Sequence, residues 1–553
     1  MNNESASGSA TATSAPVLIA GGGLVGLSTA MFLAQYGIRS LAIERLRAGS
    51  GLPRAAHFHM RTLELFRLAG IEEQVKVQSE REFLPEGSIV MMESLAGRKL
   101  ADIIASLNEG VEAVSPCRRL FVTQPGLEPI LRARAEEAGA SVLDGHDVVA
   151  VGQDDDGVTV TARDIDTGID TTLRGSYLVG ADGAHSAVRD LLGIPFDGRG
   201  VFSNSVTIYF TADLRPQMEG KPISVIYINN PTFGGFFRLD KSCESGFLVI
   251  NTLGDPTSAD AANAAADTSE PRMIELVRIG AGVPDLQVRI DGLARWRATA
   301  DVARQYRHGR IFLAGDAAHL MPPNGGFGGN TGIHDAHNLA WKLALVLNGQ
   351  AQPALLDTYE AERRPVGRFT VEQAYTRYVT RTAPYLGAEN AEPLAPDFDI
   401  ELGYLYHSPA VVADGGANAA DVSDDEVHRD PRETYASPGS RLPHVWVSTG
   451  PGGSPVSTID LADSTFSVLT PAGGEAWCDA AKAVAADHPG LELRAHRIDD
   501  PKADVATSFG ISDSGAVLVR PDGFVAWRAE RLPDDPVAAL GSALRRVLTA
   551  SAT

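Results

Sequence analysis

Apolar residues along this chain alternate between short unbroken runs and helically spaced stretches. Residues 16–20 (PVLIA) form an unbroken run that ends in glycine. Residues 27–36 then carry helical spacing, Gly37 stops it, and residues 40–43 (SLAI) are a second run ending at Glu44. A run without polar alternation marks a strand buried on both faces, as in a parallel sheet. Two later runs, 177–180 (YLVG) and 311–314 (IFLA), repeat the strand–loop–helix arrangement, the second ahead of a helix expected over 333–347. Residues 62–69 and 127–136 read as amphipathic helices, the first presenting Leu63, Phe66 and Leu68 to a core. Residues 141–143 read as a strand. Segments 147–151 and 157–162 read as an antiparallel pair, and the acids Asp154, Asp155 and Asp156 before Gly157 serve the turn between them.

Between 201 and 290 the texture changes. Segments 206–210, 223–228, 235–239 and 246–250 are β-branched and aromatic, each bounded by turn residues. They predict one mostly antiparallel sheet with a face free to cover a ligand, and Tyr209, Tyr227 and Phe237 are the pocket candidates. Residues 386–438, rich in Ala, Asp, Pro and Gly, read as a linker. Beyond it, 445–447, 466–469 and 516–527 read as further strands and 537–548 as a helix. Residues 1–14 read as a disordered tail.

Composition narrows the function classes. A chain of 553 residues exceeds one ordinary core, and 44% hydrophobic with 21% charged residues is globular. A net charge of −22 argues against nucleic-acid or anionic-membrane partners, while leaving room for a small ligand at a local site. The three cysteines, Cys117, Cys243 and Cys478, are isolated and form no CxxC. That excludes a disulfide framework and a cysteine-based zinc site, and it suits a cytoplasmic location. The apolar stretch 15–34 is neither a signal peptide nor a span, because no basic residue precedes it and four glycines interrupt it.

Those glycines carry chemistry. Gly21, Gly23 and Gly26 form G-x-G-x-x-G between a strand and a helix, and Glu44 ends the next strand. The first glycine permits a tight turn, the second lets backbone approach a pyrophosphate, and the third lets helix and strand pack. The helix N-terminus presents N–H groups, and the acid accepts from a ribose hydroxyl. This predicts a dinucleotide site, with FAD and NAD both open at this point. Arg54 and His57 lie in the following loop. His57 and His59 lack a third ligand, so no metal site is expected. Asp182, in an Asp-Gly at a strand end, could hold a cofactor or pin the neighbouring helix. Gly315 and Asp316 end a third strand, and residues 322–332 (PPNGGFGGNTG) expose backbone N–H groups ahead of a helix, suited to an electron-rich ring edge.

Taken in order, these three motifs, with residues 355–365 (LLDTYEAERRP), resemble the single-component FAD-dependent aromatic hydroxylases, among them phenol hydroxylase and the aromatic-polyketide hydroxylases. The resemblance implies an α/β fold: a Rossmann-like FAD-binding domain of the para-hydroxybenzoate hydroxylase type (15–200 and 296–385) interleaved with a mixed β-sheet substrate domain (201–295). A thioredoxin-like domain (439–553), without a dithiol, would follow the linker. By the same resemblance Gly21, Gly23, Gly26, Glu44 and the adjacent Arg45 serve the ADP half of FAD, Arg54 and Gln124 contact FAD, and Asp182 serves both FAD and the reduced nicotinamide. Gly315 and Asp316 would reach the ribityl chain, and Pro323, Gly328, Gly329, Asn330 and Thr331 the isoalloxazine. Arg54, His57 and Pro323 are the candidate catalytic residues. The implied reaction uses NADPH or NADH and O2, and hydroxylates a phenolic or polycyclic aromatic substrate through a flavin C4a-hydroperoxide, with secondary-metabolite tailoring preferred over phenol catabolism. Baeyer–Villiger insertion, epoxidation, oxidative decarboxylation and a non-catalytic FAD-binding paralogue stay as alternatives, and so does a homo-oligomeric state.

Overall fold

The computed structural model describes residues 13–47, 57–84, 86–251, 266–413, 426–448 and 454–550. Its first layer is a six-stranded sheet in the order Arg307–His308, Ile311–Leu313, Tyr177–Gly180, Val17–Ala20, Ser40–Glu44, Ser141–Asp144. All neighbours are parallel except at the Arg307–His308 edge. Val17–Ala20 is central and fully buried, which explains its unbroken apolar run. The Leu24–Gln35 helix packs against the Gln124–Glu137 and Phe327–Leu347 helices. A four-stranded sheet containing His146–Asp154 and Gly157–Asp164 leans on this unit, and Asp154 Oδ1 accepts from the N–H groups of Asp156 (2.9 Å) and Gly157 (3.0 Å) to form its turn.

The second layer is an eight-stranded mixed sheet: His319–Leu320, Arg289–Ala303, Phe196–Thr211, Ser245–Asn251, Gly234–Leu239, Ile223–Asn229, Ser88–Met92, Lys99–Ile104. The four expected strands lie within it. Its last two strands come from the stretch read as FAD-binding domain, and Ile223–Asn229 runs parallel to Ser88–Met92. One face is a core against the Glu270–Ala281 helix, built from Val206, Ile208, Phe210, Phe237, Leu248 and Ile250. The other face carries Thr207, Tyr209, Tyr227, Phe236, Arg238, Phe247 and Val249, by the two-residue period of strands.

Toward the C-terminus a four-stranded sheet runs Leu493–Ile498, Phe466–Pro471, Ala516–Val519, Val525–Ala529, the first pair parallel and the others antiparallel. The Glu475–Ala486 and Pro536–Thr549 helices cover one face, with Trp477 fully buried and its Nε1 donating to Ser514 O at 2.9 Å. All three cysteines are free, Cys478 half-buried on the Glu475–Ala486 helix.

Described residues of the stretch read as a linker pack against the rest of the chain. Tyr404 and Tyr406 are buried against Phe524 and Val366, and Glu401 accepts from Arg119 Nε at 2.9 Å. Trp341 of the Phe327–Leu347 helix shares a core with Phe466 and Val468, so the C-terminal sheet is docked on the first. Among the described residues no helix is long and apolar enough to cross a membrane.

Candidate functional site

The first strand ends in a turn that has no room for side chains. Gly21 adopts φ +99°, and a Cβ there would collide with Ala181 O, while a Cβ on Gly26 would collide with Gly21 O. A Cβ on Gly22 would lie 2.7 Å from that of Glu44. Gly23 is different: the nearest groups to a Cβ there are Glu128 Oε1 at 3.5 Å and Gln124 Nε2 at 4.0 Å. Gly23 caps the Leu24–Gln35 helix with no side-chain hydrogen bond, and the first turn contains no acid. Its leading N–H groups are therefore presented toward this gap, as an anion requires.

Glu44 borders the same turn. Its Oε2 accepts from Gly22 N at 2.6 Å and its Oε1 from Leu46 N at 2.7 Å. Gln124 donates to Glu128 Oε1 at 2.6 Å, on the far side of Gly23. The structure thus brings Gly21, Gly23, Gly26, Glu44 and Gln124 together, and Arg45 is exposed beside them. Asp182 adjoins Gly21 and pins the following helix: its carboxylate accepts from Ser186 Oγ (2.6 Å) and Val188 N (3.0 Å). Burial pushes this carboxyl up from its ordinary value, against those hydrogen bonds. Arg54 lies outside the described residues.

The third motif differs from expectation in where its helix begins. The helix starts at Phe327, so Gly328, Gly329, Asn330, Thr331 and Gly332 are helical. Glycine's low helix propensity hides this start, and close approach explains it: a Cβ on Gly332 would lie 2.6 Å from Val25 and 3.0 Å from Gly315 Cα. Ahead of the helix, Gly326 N donates to Pro323 O at 3.0 Å, with Gly325 at φ +96°, a turn that favours glycine at that position. Pro323 and Asp316 are exposed, and Gly315 is buried at φ +63°.

Asn330 ties the turn to the histidine segment. Its Nδ2 donates to Gly326 O (2.7 Å) and His57 O (2.9 Å), and its Oδ1 accepts from His59 N (3.0 Å) and Thr62 Oγ1 (2.7 Å). Thr331 Oγ1 donates to Phe327 O at 3.0 Å, within the helix. His57 sits against Gly326, stacks on Phe121 with centroids 4.6 Å apart, and has no hydrogen bond at Nε2. Burial, reinforced by His59, Arg119 and Arg238, pushes its pKa well below the usual histidine value, so the ring is neutral.

Phe121 also leads to the sheet. Arg238 Cζ lies 4.4 Å from the Phe121 ring and 4.1 Å from that of Phe83. From Arg238 an aromatic row continues along the same face: Tyr227–Phe236, Phe236–Phe247 and Tyr209–Phe247 have centroids 5.8, 6.1 and 5.9 Å apart. Tyr209 and Tyr227 belong to this face. The expectation for Phe237 is corrected. It points the other way, into the core with Phe210 and under Gly280, because neighbours on a strand face opposite sides.

Three residues of this region escape a reading of motifs alone, Phe121, Arg238 and Asp335, while Arg363 lies inside the 355–365 motif with no role read for it there. Asp335 holds Gly315 N (3.1 Å), His319 Nε2 (2.7 Å) and Arg363 Nε (2.8 Å), which fixes the third motif from behind and gives the 355–365 motif its role. An arginine within the aromatic strand Gly234–Leu239 is the one signal that could have flagged Arg238.

The residues present fit a bound FAD. Two helix N-termini without side-chain caps or first-turn acids, Leu24–Gln35 and Phe327–Leu347, flank a turn walled by glycine, and Glu44 stands at the adjoining strand end. Comparison with known proteins agrees with this chemistry. Residues 14–374 match the family described as FAD binding domain, and residues 435–551 that described as aromatic-ring hydroxylase, C-terminal. The 4-methyl-5-nitrocatechol 5-monooxygenase of Burkholderia sp is 51% identical over 539 residues, covering 96% of this chain and 97% of that protein. Aklavinone 12-hydroxylase RdmE of Streptomyces purpurascens is 38% identical, covering 96% and 98%. The crystal structure of aklavinone-11 hydroxylase with FAD and aklavinone matches with a TM-score of 0.89 at 36% identity, over 97% of this chain and 99% of that one.

Proposed function

This chain belongs to the FAD-binding aromatic-ring hydroxylases, and we propose that it hydroxylates a planar phenol held between the Gly325–Gly326 turn and the aromatic face of the eight-stranded sheet. It is an FAD-dependent monooxygenase. Bound FAD would supply the hydride acceptance from NADPH or NADH and the activation of O2. The chain's own residues bind, orient and exclude water. Gly21, Gly23, Gly26, Glu44 and Gln124 would hold the ADP half, and Asp316 and the 323–331 segment the flavin half. Asp182 acts by fixing the strand end beside Gly21. Arg45, exposed beside Glu44, would sit at the rim of the adenosine.

The observation that carries the substrate reading is the aromatic row Tyr209, Phe247, Phe236 and Tyr227, which meets His57 through Arg238 and Phe121. Such a wall stacks on a flat ring and keeps water from it. His57, buried and neutral, has an open Nε2 that can share a proton with a phenolic oxygen. A one-ring catechol is the first candidate, carried from the relative of 51% identity. A polycyclic polyketide phenol is the second reading, favoured by the end-to-end likeness to the aklavinone-bound hydroxylase.

The test is turnover by the FAD-loaded protein with NADPH or NADH, against phenols of one to four rings. Substrate-dependent nicotinamide oxidation, with a product that gains one oxygen on an intact ring, is expected. Ring-oxygen insertion, loss of a carboxyl group, or no nicotinamide consumption with any phenol would each overturn the reading.

A further inference from the structure

Among the described residues, six buried arginines have a carboxylate within 3.0 Å: Arg61 and Arg441 with Glu64, Arg119 with Glu401, Arg363 with Asp335, Arg377 with Asp397, Arg520 with Glu362. Arg238 is as deeply buried, at 6% exposure, and among the described residues its guanidinium has no hydrogen bond. Nε and Nη2 are both enclosed and unpartnered. Glu82 is the carboxylate close enough to influence it, but Glu82 Oε2 is taken by Thr123 N (2.6 Å) and Oε1 by Gln78 Nε2 (2.7 Å).

Stacking between Phe83 and Phe121 offsets only part of the desolvation of a buried cation that lacks a counter-charge. Burial accordingly pushes the Arg238 pKa down to about 9. A partner of opposite sign, arriving with a ligand, would remove this cost. Arg238 stands on the same face as the aromatic row, and the Phe121 ring that it touches also stacks on His57.

We propose that Arg238 is the receptor for an oxyanion carried by the aromatic substrate, a phenolate or carboxylate oxygen, so that the enzyme selects ionised rings over neutral ones of the same size. The assignment rests on the hydroxylase reading above and deepens it. A planar guanidinium presents paired N–H donors to such an oxygen, and between two phenyl rings the charge-assisted bond is screened little by water. The ring that bears the oxyanion then lies along Phe236 and Phe247, with its hydroxyl toward His57.

The test compares 4-nitrocatechol, ionised near neutral pH, with 4-methylcatechol, which is neutral. Binding to the oxidised FAD-loaded protein is read from the flavin absorbance change, and turnover from kcat and KM. In the unaltered protein the ionised probe is expected to bind roughly tenfold or more tightly than the neutral one. Arg238→Met is expected to weaken the ionised probe roughly ten- to hundredfold and the neutral probe by less than about threefold, and Arg238→Lys to recover part of the loss. Equal weakening of both probes, or of neither, would overturn the assignment and leave the hydroxylase reading standing. Should Arg238→Met not retain FAD, Arg238→Lys and the selectivity of the unaltered protein decide. If the unaltered protein binds neither probe and consumes no nicotinamide with any phenol, the hydroxylase reading itself falls and takes the assignment with it.

Discussion

Arg363 donates to Asp335 at 2.8 Å in a pair with no exposed atoms, and the second carboxylate oxygen holds Gly315 N and His319. Burial would raise the Asp335 carboxyl, but Arg363 and His319 outweigh it and hold it below the ordinary carboxylate range. A depressed folded-state pKa contributes stability above the unfolded value of about 4, which is lost as pH falls through the folded value. Asp335→Asn leaves Arg363 buried and unpaired. It should cost about 3–5 kcal/mol at neutral pH. In urea titrations the gap from the parent should narrow as the pH drops below about 4. A constant gap from pH 7 to pH 3 would show that the Asp335 charge is not its source.

A side chain on Gly26 would collide with Gly21 O, and one on Gly21 with Ala181 O. Gly21→Ala adds about 1–2 kcal/mol of backbone strain to a collision, while Gly26→Ala meets the collision alone. Both variants should purify with FAD occupancy reduced at least about tenfold, read from flavin absorbance against protein. Gly37→Ala is the control. Its φ is +73° with nothing within 4 Å, so it should lose about 1–2 kcal/mol of stability and keep its flavin. Full occupancy in Gly26→Ala would mean that the turn relaxes without touching the cofactor.

Glu64 joins the FAD-binding part of the chain to the start of its C-terminal unit. It accepts from Arg441 Nε (2.9 Å) and Nη2 (2.5 Å), from Arg61 Nη1 (3.0 Å) and from Ser115 Oγ (2.6 Å). Glu64→Gln leaves two buried guanidinium groups short of charge and should cost about 3–5 kcal/mol. The loss should appear as an earlier first melting transition, with faster proteolytic release of the C-terminal sheet. Combining it with Arg441→Met should cost less than the two single changes summed, because both break one contact. Strict additivity would show that the two side chains act independently.

The sequence made the Rossmann-like strands legible because glycine turns and unbroken apolar runs are local signals. The same holds for the four aromatic strands. Other features depend on distant parts of the chain. In Gly234–Leu239 (GGFFRL) both faces are buried, so no alternation tells Phe236 from Phe237, and only the helix under Gly280 decides which is core. Lys99–Ile104 is a mostly exposed edge strand without an apolar face to reveal it. The start at Phe327 was masked by glycines that the packing on Gly315 requires. The Asp335–Arg363 pair and the encounter of Arg238 with Phe121 are tertiary contacts between segments that look ordinary in isolation.

Glu44 offers a way to separate cofactor binding from folding. Its carboxylate accepts from Gly22 N at 2.6 Å and Leu46 N at 2.7 Å, both at the half-exposed rim of the sheet. Water can replace it there, so Glu44→Ala should cost the FAD-free protein no more than about 1 kcal/mol. An adenosine ribose in this gap would lose a charge-assisted acceptor, which is about 1.5–3 kcal/mol, or a ten- to hundredfold weaker FAD complex. Ligand stabilisation follows the ratio of free FAD to its dissociation constant, so at fixed FAD the melting shift caused by the cofactor should shrink in Glu44→Ala while the FAD-free melting point barely moves. Glu44→Gln retains an acceptor and should fall between the two. If Glu44→Ala lowers the FAD-free melting point as much as it lowers the shift, the carboxylate is a brace for the Gly22 turn, and the ribose contact is not what it provides.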